Sequence, residues 1–454
     1  MKNDMTTGSA WKTILIFSLP IMIGNLLQQL YNTVDGIVVG NFVSETALAA
    51  VGSCTTLAFV FLAISIGMSA GCGIFISQLY GARQYDELKA AVSTSLILLI
   101  GLGVALSLLG SLGARVLLRG LMNVAEGELL DQAVLYFAIY SVGLVFQYAY
   151  NAVAQILRSI GDSKATLLFL AVAAVMNLIL DLVCVVFLRW GVAGAAVATT
   201  FSQLCSVIVS FVYMFKKYPM FRMSRKEFVF DRAKCGVILK LAIPTTLQQC
   251  VVSFGNVFVQ RLVNSFGEVT MAAFTVGNRV ESYMFVPILG FNIGMSTFTG
   301  QNTGAGKLER VEYGWRSTAL MAAIVTLFFS VLAYTAASPI SQLFGIGGQT
   351  LQQAVELIRF QSFFFLLFAI YMVTNGVLQG SGDVLVASAC TLGSLGVRVA
   401  ASYLMAYAFH VGYSSCWKAV PIGWGVSLLM VLLRYFSKAW KTKAVVRAKP
   451  TGTE

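Results

Sequence analysis

Gln78-Leu79-Tyr80-Gly81-Ala82 returns as Gln301-Asn302-Thr303-Gly304-Ala305, 223 residues further along the chain. A Q-x-x-G-A pentad alone carries little. Outward from it, other landmarks repeat at nearly the same offset: Pro20 and Pro244 each interrupt an apolar stretch, 224 residues apart, and Gly161-Asp162 reappears as Gly382-Asp383 after 221. Common order and spacing indicate an internal duplication. A duplicated membrane bundle is the build of many secondary transporters, with a site between the repeats.

The composition fits that build. The 454 residues are 58% hydrophobic and 11% charged, against about 25% charged in soluble domains. Apolar runs of about 20 residues cross a hydrocarbon core of about 30 Å as helices. The fold class expected is an all-α polytopic membrane protein with twelve transmembrane helices. The expected spans are 11–39, 48–79, 88–118, 130–159, 165–188 and 193–215 in the first half. In the second half they are 237–264, 271–300, 315–337, 351–378, 384–409 and 416–436. This divides the chain into an N-lobe (1–215), a basic linker (216–235), a C-lobe (236–437) and a basic tail (438–454). The apolar run from Ile14 is expected to remain as helix 1 rather than be cleaved.

The net charge of +12 is not read as nucleic-acid binding, because the basic residues sit at the ends of apolar runs. Eight crowd the linker and the start of the next span, from Lys216 to Lys240, and six the last span's end and the tail, from Arg434 to Lys449. The positive-inside rule then places both termini and the linker in the cytoplasm of a multi-pass cell-membrane protein. The eight cysteines lack C-x-x-C spacing, and the lone His410 belongs at a helix end or loop. Neither group makes a metal centre, and no cofactor is expected.

Ionisable side chains inside spans cost about 2.5–3.5 kcal/mol each on insertion scales. Helix 1 carries Tyr31 and Asp35, and helix 5 carries Asn177 and Asp181, each pair four residues apart and so on one helix face. The two carboxylates are candidates for loading and releasing H+, or for holding Na+ with oxygens from Asn177 and Thr199. The repeat equivalents are Val259 for Asp35, Ser402 for Asp181 and Arg398 for Asn177, so ion coupling belongs to the first half. Glu281 is a secondary coupling candidate, and it and Arg279 are expected to pair with other helices. Tyr136, Gln147 and Asn151, with Tyr371 and Asn375, are candidates to line a cavity for flat, lipophilic organic cations, aided by aromatic faces. Pro20 and Pro244 are candidate hinges.

Taken together, Pro20, Tyr31, Asp35 and Gly40, Gln78-x-x-Gly81-Ala82, Asn151, Arg158-x-x-Gly161-Asp162 and Asn177-x-x-x-Asp181 resemble a multidrug and toxic compound extrusion (MATE) transporter of the DinF-like branch. The resemblance covers nearly the whole chain. It implies two pseudo-symmetric six-helix lobes forming a V around a central cavity, and efflux of organic cations in exchange for H+ or Na+. The branch's coupling residues fall on Asp35, Asn177, Asp181 and Thr199, and its polar N-lobe cavity on Tyr31, Tyr136 and Asn151. Two positions depart from the family pattern: Gln379 stands where the second motif often has arginine, and the helix 7 acid of the NorM-like branch is missing, with Gln248 and Gln249 nearest. The expected partners are small organic cations and lipid, with the chain a monomer. The alternative is a flippase for a lipid-linked precursor, from the wider superfamily. An enzyme is not expected, since no nucleophile–base set, metal cluster or phosphate-cradling loop is present.

Overall fold

The computed structural model describes residues 4–446 apart from 43, 44, 121, 123, 125 and 225; within 31–48 only the backbone is described. Every regular element among these residues is helical, as a bilayer demands, because a helix satisfies its backbone hydrogen bonds within one segment. In the first half, α1 (Ala10–Phe42), α2 (Glu45–Gly81) and α3 (Tyr85–Gly120) follow the expected spans. The fourth is two helices, α4 (Glu128–Val142) and α5 (Leu144–Ser159), and α6 (Ser163–Asp181) and α7 (Gly191–Lys217) follow. The second half repeats the series with α8 (Arg232–Ser265), α9 (Glu268–Gly304) and α10 (Leu308–Thr335), then the short α11 (Ala337–Gln342). It ends with α12 (Gly348–Ser362), α13 (Phe365–Ser381), α14 (Val384–Tyr403), the short α15 (Ser415–Lys418) and α16 (Val420–Phe436). Ten helical segments among the described residues are long and apolar enough to span a bilayer, and α12 with α13, bent by 50°, makes another. The more polar α9, 37 residues long, has the length for a twelfth. Large apolar side chains such as Leu112 (84% exposed) and Val116 (75%) on α3 point outward, as lipid-facing positions do.

The duplication is written in the backbone. The fourth span breaks at Gly143 and the tenth at Phe363–Phe364, both inside stretches that the apolar pattern reads as unbroken. Gly143 is also a place of close approach: a Cβ there would lie 2.9 Å from Thr200 Oγ1 of α7. α6 runs into a π-helix over Leu182–Phe187, and α14 into another over Leu404–Ala408. Each is followed by a residue in the left-handed region, Arg189 (φ 55°) and His410 (φ 51°). Gly161 (φ 92°) and Gly382 (φ 93°) keep matching turns.

The chain forms two compact units, and each draws on both sequence halves. Unit 2 comprises 23–80 and 84–246. Within it, Gly67 and Gly71 of α2 accept the first half of α8: a Cβ on Gly67 would sit 2.6 Å from the Thr246 nitrogen, and Thr245 Oγ1 donates to the Gly67 carbonyl at 2.9 Å. The linker is tied to the start of α3. Ser93 Oγ donates to the Val229 carbonyl at 3.0 Å, the Asp231 N–H donates to Thr94 Oγ1 at 3.1 Å, and Lys234 pairs with Glu87 at 2.8 Å.

Unit 1 comprises 1–22, 81–83 and 247–454. Its core joins Ile14, Phe17 and Ile21 of α1 to Ile288, Phe291 and Met295 of α9. The Q-x-x-G-A motif acts here. Gln301 Oε1 accepts the Met5 N–H at 3.0 Å, and Asn302 Nδ2 donates to the Met5 carbonyl at 3.2 Å. Lys307 and Arg310 donate to the carbonyls of Thr6 (2.9 Å) and Thr7 (2.7 Å). Gly81, of the first motif copy, lies against the Gln301 backbone, where a Cβ would fall 2.6 Å from the carbonyl carbon. Pro20 and Pro244 both sit inside unbroken helices, two residues before the chain passes from one unit to the other.

Each half also buries an aspartate between its fourth and fifth spans. Asp162 (3% exposed) accepts from Lys217 at 2.9 Å and from Tyr218 at 2.7 Å, and caps α6 through the Ala165 N–H. Asp383 (5% exposed) accepts from Arg434 Nε at 2.6 Å. Removing one partner of a buried pair leaves the other charge uncompensated, at about 3–5 kcal/mol. Arg434 is a quarter exposed, so Arg434→Met is expected to cost about 2 kcal/mol. A drop in the thermal midpoint of detergent-purified protein checks this, with Asp383→Asn/Arg434→Met recovering part of the loss.

Candidate functional site

The polar cluster of unit 2 is built by α6 and α7. α6 is apolar almost throughout, yet Asn177 and Asp181 on it are each 1% exposed. Asp181 is the last α-helical residue before the π-helix. A π turn offsets the backbone ladder locally, and such turns recur at functional sites. Asn177 Nδ2 lies 3.5 Å from Thr199 Oγ1 of α7, whose hydroxyl donates to the Ala195 carbonyl at 3.0 Å. Tyr136 of α4 packs against Val185 and Ala195, one turn along from this group, and stacks on Tyr140 with ring centroids 6.1 Å apart. Asn151 Nδ2 donates to Ser65 Oγ at 2.9 Å, and Gln147 is half-buried on the same helix, α5. The side chains of Tyr31 and Asp35 lie outside the described residues. The arrangement offers a carboxylate and an amide out of water and a half-buried hydroxyl, the oxygen-rich set that suits a proton or a hard monovalent cation.

Tyr371 and Asn375 stand in unit 1, on the wall of a cavity of about 490 Å³ that also takes in Glu281. Tyr371 and Thr391 share a hydrogen bond of 2.6 Å, and Asn375 Nδ2 donates to the Ala387 carbonyl at 3.1 Å. Glu281 is 8% exposed, hydrogen-bonded by Gln361 and faced by Arg398. An aromatic wall closes one side, with Phe368 centroids 4.4 Å from Phe285 and 5.0 Å from Trp424. Sequence reasoning missed most of this lining. A signal was present: Gln248, Asn256 and Gln260 recur at multiples of four along α8, as do Asn375 and Gln379 on α13 and Ser394 and Arg398 on α14. Of the other expectations, Arg279, foreseen in a buried pairing, is exposed. Its place on α9 is turned away from the face that carries Glu281. Tyr148 is packing rather than cavity surface: it is wholly buried and donates to the Phe61 carbonyl at 2.6 Å.

A twice-repeated set of six spans, with polar side chains buried inside each half, defines a multi-pass membrane transporter. The MatE family model matches residues 20–183 and 244–404, each match beginning at one of the two helix prolines. The chain belongs to the MatE family. It is similar to the probable multidrug resistance protein YoeA of Bacillus subtilis (strain 168), 29% identical over 97% of this chain and 96% of that one. It is also similar to the probable multidrug resistance protein YpnP of the same organism, at 27% over 98% and 99%. Among solved structures, an outward-facing multidrug resistance MATE family transporter of the MOP superfamily superposes with a TM-score of 0.91 at 26% identity, over 97% of this chain and 99% of that one.

Proposed function

We propose that this chain exports lipophilic, aromatic organic cations across the cell membrane in exchange for H+ or Na+. The observation that carries the reading is Asp181, a carboxylate 1% exposed at the junction of an α- and a π-helix within an otherwise apolar span. A charge held there is costly unless a cation comes and goes with the transport cycle. On this reading Asp35 and Asp181 take up the coupling ion, with Asn177 and Thr199 supplying further oxygens. Ion binding neutralises the pair and favours bending of α1 near Pro20, which displaces drug from the face formed by Tyr31, Tyr136, Gln147 and Asn151; Pro244 is the matching hinge of the second repeat. Both termini and the basic linker lie in the cytoplasm, and the chain works as a monomer. The multidrug resistance names of its relatives support the cargo class.

The test is dye efflux from proteoliposomes with pH and sodium gradients imposed separately. Export driven by one gradient and not the other identifies the ion. Export driven by neither, together with rescue of a strain lacking a lipid-linked-precursor flippase, overturns the antiport reading in favour of the flippase.

A further inference from the structure

The cavity of unit 1 has a chemistry of its own, independent of the antiport reading. Its volume of about 490 Å³ falls in the range of small-molecule sites, about 300–1,000 Å³. Its wall holds one acid, Glu281, and one base, Arg398, so it carries no formal net charge. Two opposite charges taken out of water ordinarily offset their desolvation by direct contact. Glu281 and Arg398 do not: both line the cavity and each feels the other's charge, yet no ion pair within 4.0 Å joins them among the described residues. Arg398 Nε is buried without a hydrogen-bond partner among the described residues, and so is Gln248 Oε1 of α8. The wall also holds a set of carboxamides, including Asn256, Gln260, Asn278 and Asn375, and Phe368 and Trp424 supply an aromatic face.

A lipophilic monocation suits this cavity poorly. Glu281 attracts it, Arg398 repels it, and the amides go unused. We propose that the unit 1 cavity binds a small aromatic zwitterion of short-peptide type. Its ammonium faces Glu281 and its carboxylate faces Arg398, where a guanidinium fork matches carboxylate geometry. Its peptide group meets the carboxamides, which both donate and accept, and its ring stacks on the Phe368–Trp424 wall.

The test uses detergent-purified protein and equilibrium dialysis with labelled tryptophylglycine, compared with its N-acetyl and C-terminal amide derivatives. The free dipeptide is expected to bind at least about tenfold more tightly than either blocked form, the step in affinity that one lost charge-assisted contact represents. Glu281→Gln is expected to erase the preference over the N-acetyl form and keep that over the amide; Arg398→Gln does the reverse. Asp181→Asn leaves all three affinities within about twofold, so failure here is distinct from failure of the antiport reading. Equal binding of the three forms, tighter binding of the cationic amide form, or no binding of any overturns the proposal. The ligand comparison on the unaltered protein decides it even where a variant does not fold.

Discussion

Asp181→Asn is expected to bring gradient-driven dye efflux down to the passive leak. The scale follows from the driving force. Exchange of one proton for one monovalent cation is electroneutral, so one pH unit supplies about 1.36 kcal/mol and supports about tenfold accumulation. An amide at 181 keeps the shape and removes the titratable charge, so that tenfold ratio collapses towards one while the protein still folds. The site makes folding of this variant easy: a neutral side chain in a span costs less than a carboxylate 1% exposed. Asp35→Asn is expected to act in the same direction, and Thr199→Val more weakly, since Thr199 contributes one oxygen, already committed as a donor to Ala195. Should both carboxylate variants sustain ion-driven export in vesicles, the coupling scheme fails. If two protons move per drug, the membrane potential adds about 2.3 kcal/mol per 100 mV, and a valinomycin clamp then changes the accumulation ratio.

Gly380→Leu is expected to lose folded protein altogether. On α13, Gly376 and Gly380 form a small-xxx-small pair against α9. A Cβ on Gly376 would lie 2.7 Å from the Asn292 carbonyl oxygen, and one on Gly380 would meet the Ser296 carbonyl and lie 2.8 Å from Thr299 Cβ. These obstacles include backbone atoms of a continuous helix, so neither neighbour moves aside locally. Even alanine forces the helices apart, at about 1–3 kcal/mol for overpacking, and leucine at 380 exceeds that. The measure is the monodisperse fraction in size-exclusion chromatography. Gly380→Ala should retain a reduced peak and Gly380→Leu none. A full leucine-variant peak at unchanged thermal midpoint would show that the helices separate at no cost.

Much of the fold was legible because it rests on composition and repetition. Apolar length marked the spans, and the Q-x-x-G-A and Gly-Asp landmarks located the two halves. The breaks were not legible. Nothing in the hydrophobic pattern distinguishes Gly143, where α7 comes close to the chain, from Gly113, where a Cβ would meet only Leu117 of its own helix, at an ordinary 3.7 Å. The π turns after Asp181 and Tyr403 leave no compositional trace either. A rule of cost picked out Asp181: a carboxylate in a span stands out, and the structure buries it beside Asn177, each 1% exposed; its part in ion coupling is the proposal made above. Carboxamides are cheaper to bury and do not stand out, so Asn256 and Gln260 escaped notice although they lie four residues apart, and Gln248 was noted only as standing near a missing acid.

The allocation of α1 and α8 between the units bears on how this chain is made. Residues 4–22 find their final neighbours around 288–310, which leave the ribosome only after more than half the polypeptide has been translated. The opening of α1 therefore waits in the bilayer while α2 to α7 assemble, and unit 2 in turn is complete only once residues 232–246 have been inserted. Two fragments divided within the linker, at 226, would each lack a piece of one unit, and co-expression should let them recover one another.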